Sequence, residues 1–215
     1  MILILLISAL IGAGNTDFNQ ELMSYLNKQL AGYSKIEIVS EKMPNDYKSL
    51  KLRPESQINI NGGYAYIPVD VVSKGGREYQ AYISLTLKLY KNVLVATKQI
   101  NRKDRFSEDD FVLQDVDMTR YNGKPFTSAE GIENYRSKTV LRKGAVLLEE
   151  NIEEVPVINS GDRVKASAVE GNVIVTIDAT ALQDGLTGEE IRIVTSENKS
   201  LVAKVVDSKN VIIQE

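Results

Sequence analysis

The chain contains no histidine, no cysteine and no tryptophan. Without histidine there is no imidazole to act as general base, and so no Ser-His-Asp arrangement. Without cysteine there is no thiol nucleophile, no disulfide and no zinc thiolate site. The lack of cysteine does not fix a compartment, because oxidising compartments permit disulfides without requiring them. Long blocks of one charge are also missing. Lys and Arg total 26 against 29 Asp and Glu, interspersed, for a net charge of -3. That balance argues against a nucleic-acid footprint, which needs a basic face, and gives no polybasic membrane signal. Only carboxylates, lysines, tyrosines and serines remain for chemistry, so the composition argues against an enzyme and calls for no cofactor or metal. What is present is ordinary for a folded protein: 215 residues, 43% hydrophobic and 26% charged, enough for one large domain or two to three small ones.

The longest apolar run is at the start. Met1 to Ile11 is almost wholly apolar and is followed by Gly12, Ala13 and Gly14. An apolar segment ending in small residues is the pattern of an export signal, and it is too short to span a bilayer. It lacks the basic residue that usually precedes such a segment; the alternative is a buried N-terminal strand. We read residues 1–14 as a signal peptide, cleaved near Ala13 to Asn15, leaving no stable membrane insertion.

Residues 15–92 read as a small α+β domain. Phe18, Leu22, Tyr25, Leu26 and Leu30 share one helical face, and Gly32 ends the helix. Strand signals follow. Ile58 and Ile60 precede a turn at Asn61-Gly62-Gly63, a second hairpin turns at Lys74-Gly75-Gly76, and Ile83, Leu85, Leu87 and Leu89 alternate with polar neighbours. The tyrosines here (Tyr64, Tyr66, Tyr79, Tyr82, Tyr90) read as core and cross-strand pairs rather than a ligand cage.

Residues 93–157 state one pattern twice. TKQINRKDRFSEDDFV, Thr97 to Val112, aligns without a gap on SKTVLRKGAVLLEENI, Ser137 to Ile152, at an offset of about 40 residues, a spacing at which internal repeats are informative. Lys98, Arg102 and Lys103 recur as Lys138, Arg142 and Lys143, and Phe106 recurs as Val146. Each copy reads as strand, tight turn and strand, with Asp104 or Gly144 at the turn position that favours positive φ, and with Ser107 capping a short helical turn in the first. Neither copy buries a face alone, so the two are expected to pack together about a local pseudo-twofold. Glu149, Glu150, Glu153 and Glu154 read as a solvated face, because nothing arranges them as a calcium loop. A short helical stretch is expected from Ser128.

Residues 158–215 change texture. Short strands alternate with turns at Ser160-Gly161-Asp162, Glu170-Gly171-Asn172, Glu197-Asn198-Lys199 and Ser208-Lys209-Asn210, the spacing of a small β-barrel.

The doubled device between Val93 and Ile152 resembles the SAF domain, a β-clip-like fold. Three further runs, Gly161-Asp162-Arg163-Val164, Ala181-Leu182-Gln183-Asp184-Gly185 and Gly188-Glu189-Glu190-Ile191-Arg192-Ile193, resemble the tail of the flagellar basal-body P-ring formation proteins, which are periplasmic assembly chaperones. The resemblance covers Val93 to Val206. It implies a mainly β protein with some α, in three parts: the α+β domain, the SAF repeat and the barrel. It also implies a periplasmic location and a protein client, the flagellar P-ring subunit, with no catalytic residue. Gly161, Asp162, Gly185, Gly188 and Gly144 would then serve turns. Ala181, Leu182 and Ile191 would lie in the core, and Asp184, Glu189 and Arg192 would complete the motif. Many relatives carry a cysteine pair in the first domain, and this chain has none. The other readings are a SAF-containing pilus or secretion assembly factor and a carbohydrate-binding accessory domain.

Overall fold

The computed structural model describes residues 3–5, 16–171 and 173–214. Of the expected signal peptide only Leu3–Leu5 is described, as strand β1, which pairs in parallel with a later strand. The rest of that segment, with its cleavage zone, lies outside the described residues, as does Asn172 in the turn expected at Glu170-Gly171-Asn172. The chain divides into two compact units. One comprises Met1–Gln99, Asp109–Glu130 and Arg142–Glu150; the other comprises Ile100–Glu108, Gly131–Leu141 and Asn151–Glu215.

In the first unit α1 (Thr16–Gln29) follows β1, then β2 (Lys35–Lys42), β3 (Tyr47–Leu52), β4 (Asn59–Asn61), β5 (Tyr64–Ser73), β6 (Glu78–Ala96) and β7 (Phe111–Asp117). The sheet order is β1-β2-β6-β5-β3, with β4 also on β5 and β7 also on β6. The expected helical face is the buried one: Phe18, Leu22, Tyr25, Leu26 and Leu30 pack with Ile36, Ile67, Val69, Ile83, Leu85, Leu87 and Leu89 from the sheet. Period-two alternation along β5 and β6 puts these aliphatics on one face. The same alternation turns Tyr64, Tyr66 and Tyr82 outward, where they are exposed. They are therefore not core residues, while Tyr79 and Tyr90 are half-buried and bond to the Asn45 carbonyl and the Glu37 carboxylate.

β6 does not stop near Asn92. It runs on to Ala96, and its last stretch, Tyr90 to Ala96, pairs with β7. Alternation fades there because both faces become covered. A second small core forms from Val93, Val95, Met118, Val146 and Leu148.

The two sequence copies exchange arms between the units. The turn arm of the first copy, Ile100–Glu108, belongs to the second unit, and the matching arm of the second copy, Arg142–Glu150, belongs to the first. In the first unit Ala96 donates to the Ala145 carbonyl and Val95 bridges Val146. In the second unit the equivalent positions meet: Arg105 bridges Arg136, and Phe106 donates to the Tyr135 carbonyl. Each arm is thus held by the other copy. The two turns differ in detail. Gly144 has φ 85°, but in the first copy the positive φ of 71° falls on Lys103, one residue before Asp104. Asp104 instead accepts through its carboxylate from the Asn101 N–H at 2.9 Å, closing the turn by its side chain. Helical structure near Ser128 is a single 3-10 turn, Ile132–Asn134, entered through Gly131 at φ 74°.

The second unit holds β8 (Tyr135–Ser137) paired with β9 (Ile152–Glu154), then a closed barrel of β10 (Arg163–Glu170), β11 (Val173–Ala181), β12 (Glu190–Thr195), β13 (Ser200–Val205) and β14 (Asn210–Ile213). The barrel is closed by parallel pairing of β10 with β14. Its interior is filled by Ile158, Val164, Ala166, Ala179, Ala181, Ile191, Ile193, Ala203, Val205 and Val211. Several are alanine, which suits the narrow interior of a five-stranded barrel.

Candidate functional site

The densest polar constellation in the second unit centres on Asp184, in the loop between β11 and β12. Its Oδ1 accepts from the Ser160 backbone N–H at 2.9 Å. Its Oδ2 accepts from Arg136 Nη2 at 2.6 Å and from Lys103 Nζ at 3.1 Å. Arg136, buried in β8, also donates through Nε to Glu153 Oε1 at 2.7 Å, on β9. One carboxylate therefore fastens the first copy's turn arm, β8 and the Ser160 turn to the barrel loop. The Ser160 N–H, then the Arg136 guanidinium, hold the Asp184 carboxyl well below the ordinary carboxylate range. Burial disfavours charge on Arg136, but its bonds to Asp184 and Glu153 outweigh that and keep its pKa raised. Every charge here has a partner, so the cluster is a brace. Glu149, Glu150 and Glu154 are exposed, and no group of residues suited to hold a metal occurs among the described residues.

The other motif residues surround this brace, apart from Gly144, which lies in the first unit. Gly144 donates to the Ala96 carbonyl. Gly161, at φ 95°, donates to the Ala181 carbonyl, and the Asp162 carboxylate accepts from the Asn159 N–H at 2.7 Å. Ala181 and Ile191 are buried in the barrel. Leu182 is not: it is 45% exposed, because its backbone N–H bonds to the Arg192 carbonyl and its side chain falls on the outer side of the strand. Gly188 has φ 88°, Glu189 accepts from the Leu186 N–H, and Arg192 Nε donates to Gln183.

Gly185 departs from the expected reason for a glycine. Its φ is not positive; instead, a Cβ there would stand 2.6 Å from Ile191 Cγ2 and 2.9 Å from Val205 Cγ2. Its N–H donates to the Ile158 carbonyl, and its carbonyl accepts from Val157 and Ile158, so the segment before the barrel lies directly on it. Close approach of packed side chains, rather than backbone strain, requires glycine at this position.

Several residues here were not singled out from the sequence. Arg136 had a faint signal: the equivalent position in the first copy is Ala96, so a charge stands where the repeat has a small apolar residue. β11 had another, the run Val173-Ile174-Val175-Thr176-Ile177, β-branched throughout with no alternation. Val173, Ile174 and Val175 are 60%, 69% and 55% exposed. In the first unit the outward tyrosines Tyr66 and Tyr82 line a shallow groove of about 340 Å³ with Arg53, Ser56, Gln57, Asn59 and Pro68.

A barrel braced by fully paired charges, with apolar residues displayed on strands, defines a β-rich scaffold whose exposed features suit protein contact. The chain belongs to the family of chaperones for flagella basal body P-ring formation, whose model matches residues 91–213. Among solved structures, the flagellar protein FlgA from Thermotoga maritima is similar at TM-score 0.56 and 20% identity, covering 94% of this chain and 73% of that one. Salmonella FlgA in its open form is similar at TM-score 0.56 and 15% identity, covering 92% and 93% respectively. At these identities the likeness bears on the fold alone. No curated protein sequence matches the chain.

Proposed function

We propose that this chain is a periplasmic chaperone that binds the flagellar P-ring subunit and assists its assembly around the rod, without turnover chemistry. The carrying observation is the family match over residues 91–213, which takes in the whole barrel and both copies of the doubled repeat. The apolar start from Met1 to Ile11, ending in Gly12-Ala13-Gly14, supports export to the periplasm. The doubled device, with its exchanged arms, supports the SAF reading of the repeat. The absence of histidine and cysteine from the sequence fits a holder better than a catalyst. A holder works by mass action: it keeps a free subunit from unproductive association and is absent from the finished ring. Size-exclusion chromatography of the purified chain with purified P-ring subunit tests this. Co-elution is expected, and separate elution at micromolar concentrations of both proteins would count against the proposal.

A further inference from the structure

β11 is paired on both sides only at its C-terminal end. Along its whole length it pairs with β10, but it meets β12 only at Ala179–Ala181. Among the described residues no strand lies on the β12 side of Val173–Asp178. The direction of its backbone groups follows from the pairing. Ala181 exchanges bonds with the β10 side, donating to the Asp162 carbonyl and accepting from the Gly161 N–H, whereas Leu182 donates to Arg192 on the β12 side. Alternation then points the N–H and C=O of Ile174, Thr176 and Asp178 away from β10, into the open edge.

The side chains of this edge are as unusual as its backbone. Val173, Val175 and Ile177 continue the row that holds Ala179 and Ala181 in the barrel core, yet they are exposed. Natural proteins guard open edges with lysines, prolines, bulges or short strands. Two other edges, those of β3 and β7, are guarded. β3 carries Lys48 and Lys51 and a register irregularity. β7 carries Asp115, bonded to Ser34, and Asp117, bonded to Thr119 and to the Leu89 N–H. On the open stretch of β11 the one charge is Asp178.

We infer that the open edge of β11, Val173 to Asp178, is where the chaperone holds its client, by accepting an extended client segment as an added strand. This rests on the proposed function and names the surface it uses. Strand addition supplies main-chain hydrogen bonds for affinity and side-chain rows for choice of partner. The segment must present apolar residues on the row of Val173, Val175 and Ile177. Charge complementarity asks for Lys or Arg in register with Asp178, since opposite charges across strands are favourable and like charges are not. The edge thus selects a β-rich client segment of alternating pattern with a basic residue.

Thr176→Pro tests the backbone requirement. The N–H that it removes points outward, so the hairpin keeps its own bonds, and edge positions tolerate proline. Thr176→Ala is the control: both variants lose the hydroxyl contact to Ser167, at 3.1 Å, but only proline loses the N–H. With the full chain and purified P-ring subunit, Thr176→Ala is expected to bind as the parent does and Thr176→Pro about tenfold more weakly, the effect of losing roughly one strand-edge hydrogen bond with its neighbour. Amide hydrogen exchange on the unaltered chain is expected to slow at Ile174, Thr176 and Asp178 when subunit is added. Binding without that protection would overturn the inference, even if Thr176→Pro fails to fold. So would a folded Thr176→Pro that binds normally. If the unaltered chain binds no subunit, the proposed function itself fails and takes this surface with it, a result distinct from binding elsewhere.

Discussion

Gly185 and Asp184 are neighbours in sequence, and both are explained by what touches them. A methyl group at residue 185 would overlap Ile191 and Val205, both buried in the barrel. Gly185→Ala is therefore expected to lower stability by about 1–3 kcal/mol through overpacking. Urea denaturation measures it, and an unchanged midpoint would show that the barrel yields to the added carbon. At Asp184 the loss is electrostatic. Asp184→Ala leaves the buried Arg136 with Glu153 as its remaining acid and should cost about 3 kcal/mol. The pH dependence has a definite sign. The folded carboxyl titrates well below its unfolded value, which is about 3.9. Its contribution is thus complete above that value and is lost as pH falls below it towards the folded one. The stability gap between the parent chain and Asp184→Asn should be constant above about pH 5 and narrow in more acidic solution. A gap that widened on acidification would reverse the assignment.

At the scale of elements, the long strand β6 and the exchanged arms decide how the chain can be cut. β6 joins the helix-covered sheet to β7 through a continuous ladder, with Tyr90 opposite Asp117 and Ala96 opposite Phe111. A fragment of residues 93–215 retains every segment of the second unit but severs the first unit within β6. Hydrogen exchange on that fragment should show β10 to β14 as protected as in the full chain, with β7 exchanging faster. Equal protection of β7 in both would mean that it does not depend on the severed sheet. Part of this was legible beforehand. The doubled pattern, the helix face, the Asn-Gly hairpin and the barrel spacing all follow from periodicity and turn chemistry. The arm exchange was not, because similarity between copies does not say which copy an arm packs against. Nor was the length of β6, because Lys91 and Asn92 interrupt the apolar pattern like a linker. Gly185 was legible as a special position but not for its reason, since proximity to Ile191 and Val205 exists only in three dimensions. Leu182 was misplaced because its side of the strand is set by pairing with β12 rather than by its own hydrophobicity.

Across the whole molecule, the chain combines a family-defining C-terminal stretch with a helix and strands, α1 to β5, that the family model does not reach. Its charges are balanced, and the buried ones among the described residues are tied into braces, so its exposed β-branched edge and outward tyrosines stand out against an ordinary polar surface. Such surfaces are a liability in a free protein and an asset in one whose role is to hold another. The central claim, that this chain assists P-ring assembly, is tested most directly by counting P-rings on basal bodies by electron microscopy in a strain lacking it. Ring subunit present at normal levels, with few or no assembled rings and with rings restored by the reintroduced chain, is the expected result; normal ring numbers in the deletion strain would contradict it.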